Sequence, residues 1–377
     1  MIRTQLTNWL EIDLDALFAN LEQIKARLAK NCRILAVVKN DAYGLGAPEV
    51  ARQLADKVDY LAVSTLPEAL AVRGAGVDLP LLVFIPLQTG QVELFVKHNL
   101  TATLDSELTL EALRGSGLAV HLKVNTGMNR LGLAVDEVAQ IAEQAQAAGL
   151  LIKGIYSHLA SAADQSSAQK QLVLFKQVLK ELEARQISRG LAHIANSAAI
   201  VGLPEAHLDM VRAGTILYGQ SALALPADFV LADSFGAYAR IVAVHDLAAG
   251  EKIGYGGDYT VKAPLRAAVV AVGYGDGFCL EPQSRQNTGD VIHASLKKSV
   301  RALANKPRYY FMAGNKRLPL LGRVAMQMSC CDISGTDLRV GDVVRLPLRR
   351  TCASALLPRL YLREGKVVAC RGLGEEK

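Results

Sequence analysis

The chain of 377 residues contains no apolar run approaching the ~18 residues that a membrane-crossing helix needs, although half of its residues are hydrophobic. No membrane partner is therefore expected. Its first residues, M-I-R-T-Q-L-T-N-W-L-E-I-D, have no apolar core of the kind a secretory leader carries, so a cytoplasmic protein is the expectation. The six cysteines (Cys32, Cys279, Cys330, Cys331, Cys352 and Cys370) follow no zinc-ligand spacing. They suit reduced intracellular thiols, and no metal site is expected. Low-complexity segments and long linkers are also missing. Aromatic residues are few, at 5%, which bears on the one charge asymmetry: residues 285–377 hold 18 Lys and Arg against 7 Asp and Glu. A basic tail is a nucleic-acid signal. Here the basic residues alternate with apolar strand-like runs, so a solvated face of a β domain is the reading and no nucleic acid is expected.

Against these absences stands one segment, A-V-V-K-N-D-A-Y-G-L-G, residues 36–46. The apolar run from Ile34 to Val38 reads as a buried parallel strand ending in Lys39. Burial disfavours the ammonium form and leaves an amine suited to Schiff-base chemistry. The plainer alternative is a lysine that only closes a strand.

Eight short apolar runs occur between residues 33 and 219: 33–39, 60–65, 80–85, 100–104, 119–125, 151–158, 191–197 and 207–213. Amphipathic stretches separate most of them, among them Pro48 to Lys57, Leu66 to Gly74, Asp136 to Ala148 and Ala168 to Arg185. The alternation predicts an α/β fold, a (β/α)8 TIM-type barrel, with an open doubly wound sheet as the structural alternative. Chemistry-bearing residues favour the barrel because they cluster at the carboxyl ends of the runs: Lys39, Arg130, His158, Asn196, Ser197, Arg212, Gly214 and Thr215. From about residue 236 helical periodicity gives way to short alternating runs separated by glycine turns, which predicts a mostly antiparallel β domain. The expected division is 10–235 for the barrel and 236–377 for the β domain, joined by residues 1–9.

Six further segments accompany Lys39: H-L-K-V-N-T-G-M-N-R-L-G-L (121–133), G-I-Y-S-H (154–158), A-N-S-A-A (195–199), V-R-A-G-T-I-L-Y-G (211–219), I-G-Y-G (253–256) and G-Y-G-D-G (273–277). In this order and at this spacing they resemble the bacterial alanine racemases, closely over residues 8–280 and patchily beyond. The resemblance implies an isomerase of D-alanine biosynthesis, supplying a peptidoglycan precursor, with pyridoxal 5'-phosphate as cofactor and a small amino acid as substrate. It implies that Lys39 tethers the cofactor and acts as one base, and that Tyr255 acts as the other. The lysine would serve the D-enantiomer and the tyrosine the L-enantiomer. Tyr255 would come from the partner subunit of a homodimer with shared sites. His158 and Arg212 would link to the tyrosine, with Arg212 against the pyridine nitrogen. Gly214, Thr215, Ser197 and Tyr43 would grip the phosphate, with Asn196 beside them. Arg130 and the backbone of Met326 would meet the substrate carboxylate. Lys123 matches a lysine often carbamylated in the family; the alternative is a strand lysine facing solvent.

The chain departs from the family pattern at several places. Gln327 replaces an acidic residue, Leu45 a histidine, and Ala355 the late tyrosine that precedes a P-R pair, with Tyr361 six residues further on. Residues 285–310 read as an insertion. The missing ring at position 355 leaves serine or a broader range of substrates open. Other readings are an amino-acid decarboxylase of the same architecture and a non-catalytic pyridoxal-phosphate-binding protein. The tyrosine turn and the additional β domain weigh against these two.

Overall fold

The computed structural model describes residues 2–161, 164–221, 223–281, 295–296 and 309–372. The chain divides into two units, Leu14–Ser234 and Met1–Asp13 with Phe235–Lys377. Strand β1 (Asn8–Asp13) pairs antiparallel with the strand that follows the barrel, so the first unit begins at Leu14 and not at residue 10. The main chain from residue 10 to 12 is already committed to that pairing, opposite Ala237 to Phe235.

The eight apolar runs form eight strands: β2 (Arg33–Val37), β3 (Tyr60–Val63), β4 (Leu81–Val83), β5 (Ala102–Leu104), β6 (Ala119–Lys123), β7 (Leu151–Tyr156), β8 (Leu191–His193) and β9 (Met210–Ala213). They pair in parallel as two four-stranded sheets, β4-β3-β2-β9 and β5-β6-β7-β8. A bridge between Leu82 and Thr101 joins the sheets on one side. On the other, Asp209 N–H donates to the Ala192 carbonyl (3.1 Å) and Arg212 N–H to that of Ala195 (3.0 Å), which closes the barrel. These strands read as unbroken apolar runs because side chains on both faces are covered. Leu35, Val37, Ala62, Leu82, Tyr156 and Met210 form one cluster of that interior.

Helices α1 (Leu14–Lys25), α2 (Ala47–Leu54), α3 (Leu66–Gly74), α4 (Val92–Lys97), α5 (Glu107–Leu113), α6 (Val138–Ala147), α7 (Gln165–Ala184) and α8 (Ser197–Gly202) alternate with the strands. Helix α7 starts three residues before its apolar pattern because Asp164 caps it, accepting from Ser167 N–H (3.1 Å), and a capped first turn needs no apolar residue. Buried Asn20 on α1 secures the exit of the barrel: its amide donates to the Leu217 and Ala232 carbonyls and accepts from Ala232 N–H. No helix among the described residues is long and apolar enough to cross a membrane.

Among the described residues the second unit holds a nine-stranded, mostly antiparallel sheet and a two-stranded one, Lys252–Ile253 with Tyr259–Thr260. Its long strand β10 (Phe235–Leu247) pairs with β1 over its first half. From Ile241 onward, with an irregularity between Ile241 and Ala243, it pairs with the strand Leu265–Val270. A bulge there bends the strand and lets it change partner. The expected insertion at 285–310 lies outside the described residues except for 295, 296, 309 and 310.

Candidate active site

Lys39 leaves the end of β2 into an unusual turn. Asn40, Asp41, Ala42 and Tyr43 all take left-handed conformations, with φ between 51° and 56°. For residues with a Cβ this costs roughly 1–2 kcal/mol each, so neighbouring groups must hold it. Ala42 N–H donates to the Val38 carbonyl (2.9 Å) and Gly44 N–H to that of Asn40 (3.0 Å). Asp41 Oδ1 accepts from Ala47 N–H (2.9 Å) and Glu68 Oε1 from Asn40 N–H (2.5 Å). The turn directs the Tyr43 hydroxyl towards Gly214, where a Cβ would come within 2.7 Å of it and 3.4 Å of Ser197 Oγ. Ser197 Oγ accepts from Gly214 N–H (3.0 Å) and Ile216 N–H (3.4 Å). The Tyr43 hydroxyl and the Ser197 hydroxyl, the latter held by two backbone amides, therefore border a space that only glycine leaves open. This is a donor set suited to a phosphate group. Leu45, fully buried, follows the turn.

Arg212 on β9 lies on the cleft wall. It is 3% exposed, and no carboxylate pairs with it among the described residues. Nη1 donates to His193 Nδ1 and to the His193 carbonyl (both 3.0 Å). Nη2 donates to the carbonyls of Ser157 (2.7 Å) and Ile194 (3.1 Å) and to His158 Nδ1 (3.2 Å). A guanidinium only donates, so both imidazoles accept at Nδ1 and carry their proton on Nε2. His193 Nε2 then donates to His121 Nδ1 (2.9 Å), and His121 Nε2 is left buried without a partner. Burial first, then the Arg212 charge, pushes His158 down to about 2 and His121 to about 3, so both are neutral at physiological pH. Arg212 is lowered by burial only to about 10 and keeps its charge. The Tyr156 ring stacks on His193 at 5.0 Å and 7° and donates its hydroxyl proton to Thr103 (2.9 Å).

The N-T-G-M-N-R-L-G-L motif folds into a closed loop beyond β6. Leu133 N–H donates to the Lys123 carbonyl (2.8 Å) and Asn125 N–H to that of Leu133 (2.9 Å). Asn125 Oδ1 accepts from Gly127 and Asn129 N–H. Gly132, with φ of 122°, lies so near the Val124–Asn125 peptide that a Cβ would meet it at 2.8 Å. The loop presents Arg130 to the cleft with no hydrogen-bond or ion-pair partner among the described residues. Lys123 is buried, and its amine has no hydrogen bond there either; burial, Arg212 and Arg130 bring it down to about 6. Burial, followed by Arg130 and Arg212, also lowers Lys39, which Glu68 partly opposes.

Lys39, Tyr43, Lys123, Arg130, His158, Asn196, Ser197, Arg212 and Gly214 all border one cleft of about 340 Å³. Asn196 also caps α8, accepting from Ala199 N–H (3.1 Å). Thr215 begins the short turn Thr215–Tyr218 after Gly214 and is not on the cleft wall. Lys123 does not face solvent, contrary to the plainer sequence alternative, because β6 turns it into the barrel. Sequence reading did not single out His193, His121, Ile216 or Glu68. A histidine inside an apolar run, as in L-A-H-I-A-N-S, was the available signal for His193.

Tyr255 and Met326 lie in the β unit. Tyr255 is 77% exposed on a turn whose Gly254, Gly256 and Gly257 all have positive φ. The G-Y-G-D-G turn packs on the backbone of Ala325 and Met326: Tyr274 N–H donates to Ala325 (3.0 Å) and Gly275 N–H to Met326 (2.9 Å). Tyr361 is fully buried in the strand Arg359–Arg363, opposite Ile12 on one side and Ala369 on the other. It does not stand in for the missing tyrosine, because the sheet holds it on both sides. Ala355 is exposed, on a segment gathered around buried Arg359, which donates to the carbonyls of Ala355 (3.2 Å) and Leu357 (2.8 Å).

Residues 12–222 match the family "Alanine racemase, N-terminal domain" and residues 235–353 the family "Alanine racemase, C-terminal domain". The chain is 36% identical over 351 residues to alanine racemase 1 of Caldanaerobacter subterraneus subsp. tengcongensis, covering 89% of this chain and 84% of that protein. It is 37% identical over 356 residues to the alanine racemase of Hahella chejuensis, covering 89% and 87%. Among solved structures it is similar to the alanine racemase of Clostridium difficile 630, with a TM-score of 0.87 at 27% identity over 98% of this chain and 99% of that one. It is also similar to the Bacillus anthracis alanine racemase with bound L-Ala-P, with a TM-score of 0.83 at 26% identity over 97% of each chain. A barrel whose cleft holds a partly buried strand-end lysine, followed by a β unit with a glycine-framed tyrosine, thus accompanies sequence likeness over both parts, and the chain belongs to the alanine racemase family.

Proposed function

We propose that the chain racemises alanine with pyridoxal phosphate, using Lys39 and Tyr255 as the two bases. The observation that carries the reading is the cleft. It combines a partly buried lysine, a hydroxyl-and-amide cradle at Gly214 and a buried guanidinium without a carboxylate. The residues fit the cofactor: a Cβ would fill the cradle, and the guanidiniums of Arg130 and Arg212 favour an anion. Bound there, pyridoxal phosphate supplies an electron sink for the substrate's α-carbon.

The chain's own groups would do the rest. The Tyr43 and Ser197 hydroxyls would hold the phosphate, with Ser197 positioned by the Gly214 and Ile216 amides. The Arg212 Nε–H has no partner among the described residues and fits a pyridine nitrogen as donor. Because Arg212 keeps its charge, it would leave that nitrogen unprotonated. Burial and two guanidiniums lower Lys39, which favours the free amine that would accept a proton on one face. Tyr255 would exchange protons on the other. His158, neutral with its proton on Nε2, is a donor suited to a phenolate, which favours the base form of Tyr255. Arg130, without an internal partner, suits the substrate carboxylate. Lys123 has the neutral, unbonded amine that carbon dioxide adds to, and its carbamate would hold Arg130. The high exposure of Tyr255 in the single chain supports a homodimer in which each β unit serves its partner's barrel.

The test uses inactive subunits. Lys39→Ala mixed with Tyr255→Phe should regain activity, since a heterodimer carries one intact site. No recovery after verified subunit exchange overturns the shared-site reading. In deuterium oxide, Tyr255→Phe should keep α-proton exchange of D-alanine and lose that of L-alanine. Unchanged exchange of L-alanine removes Tyr255 as its base.

A further inference from the structure

Glu68 opens α3 and belongs to a capping box with Thr65: Glu68 N–H donates to Thr65 Oγ1 (3.5 Å) and Glu68 Oε2 accepts from Thr65 N–H (3.0 Å). A capping box needs no more than that. This carboxylate takes two further backbone donors, Ser64 N–H at Oε2 (2.8 Å) and Asn40 N–H at Oε1 (2.5 Å). The last belongs to a different strand end, 28 residues away, and is the peptide that joins Lys39 to its left-handed turn. Four successive left-handed residues with side chains are a costly arrangement, persisting only where surroundings enforce it. Glu68 binds the first of them.

We propose that Glu68 is a positioning residue for Lys39, tying the peptide that follows the lysine to the end of the neighbouring strand and setting a carboxylate beside the turn that carries the amine. The proposal rests on the reading of Lys39 as the cofactor's anchor. Among the described residues, the other charged or titratable groups lining the cleft with Lys39 are Tyr43 from its own turn, Arg130 from the loop after β6, Arg212 on β9, Lys123 at the end of β6, Tyr156 at the end of β7 and His158 after it. Glu68 alone among the groups acting on Lys39 favours its ammonium form; burial, Arg130 and Arg212 all oppose it. Without the carboxylate the amine would lose its proton at lower pH, and the turn would lose its first restraint.

The test strips the cofactor from the full chain and follows the rate of pyridoxal phosphate uptake against pH, with borohydride fixation to locate the modified lysine. Uptake reports the free amine of Lys39. Glu68→Gln should move the midpoint of the rate profile down by about one pH unit, the size expected for loss of one nearby opposite charge. Thr65→Ala, which removes the cap hydroxyl and leaves the carboxylate, should lower the melting temperature and leave the midpoint in place. Glu68→Asp keeps the charge without the reach; uptake should slow with the midpoint close to native. An unmoved midpoint in Glu68→Gln overturns the proposal, as does an equal shift in Thr65→Ala. Covalent fixation that persists in Lys39→Ala overturns the anchor reading itself, a separate failure from that of Glu68.

Discussion

Arg212 is 3% exposed and donates to five acceptors, whereas Tyr255 is 77% exposed on a turn of three positive-φ glycines. The barrel sets the properties of its reactive groups by burial: lysines lose basicity, imidazoles stay neutral, and one guanidinium dictates the tautomers around it. The β unit uses backbone geometry instead, placing side chains on tight turns that pack on one another. On the proposed reading of the site, the difference would separate two demands of two-base chemistry. A cofactor grip needs a rigid, desolvated interior, while a base that must meet the opposite face needs to project from its own domain.

The largest effect should come from cutting the barrel's buried cation. Arg212→Met leaves three carbonyls and two imidazoles without their donor, and should cost about 3–5 kcal/mol in urea unfolding. Tyr255→Phe, on the exposed turn, should stay within about 0.5 kcal/mol. Equal losses would erase the contrast between the units.

Next is the pH dependence of stability. Lys123 has a folded pKa of about 6 against an ordinary 10.5. Between these values the unfolded chain binds a proton that the folded chain does not, so stability should rise with pH, by up to about 1.4 kcal/mol per unit. The gain is complete above the ordinary value and is lost as pH falls towards 6. Lys123→Met should flatten this slope in cofactor-free protein held in buffer depleted of carbon dioxide. A slope unchanged by the substitution would assign it to other groups.

A pair of glycines sharpens the comparison further. Gly214→Ala sets a methyl against the Tyr43 hydroxyl and should weaken pyridoxal phosphate binding about tenfold or more, as expected when a charge-assisted hydrogen bond is disturbed. The melting temperature should change little. Gly273→Ala would collide with the Ala325 and Met326 backbone, so it should lower the melting temperature with cofactor binding retained. Calorimetry and cofactor titration on both variants would show whether the two effects separate.

The smallest effect concerns substrate range. Ala355 is exposed where the family resemblance places a ring. Excluding one extra hydroxymethyl is worth only about 1–3 kcal/mol. Serine should therefore be racemised within about tenfold of alanine, and Ala355→Tyr should restore preference for alanine. Strong rejection of serine by the native chain would show that another side chain fills the space; Tyr361, buried in its strand, is not that residue.

The amino-acid order alone was enough for the barrel, because strands covered on both faces must be apolar throughout and eight such runs alternate with amphipathic stretches. It also marked Lys39, Arg212 and Gly214, which sit at strand ends within distinctive motifs. Other features depended on tertiary structure. Asn40-Asp41-Ala42-Tyr43 contains no glycine, and nothing local announces a left-handed turn; Glu68, 28 residues on, helps to hold it. His121 and His193 look like core residues until β6 and β8, on either side of β7, place them 2.9 Å apart and barrel closure brings Arg212 into line with them. Hydrophobic pattern is a local, periodic property that a sequence carries openly. A hydrogen-bond network, a tautomer or a displaced pKa depends on groups that only the closed barrel brings together and removes from water.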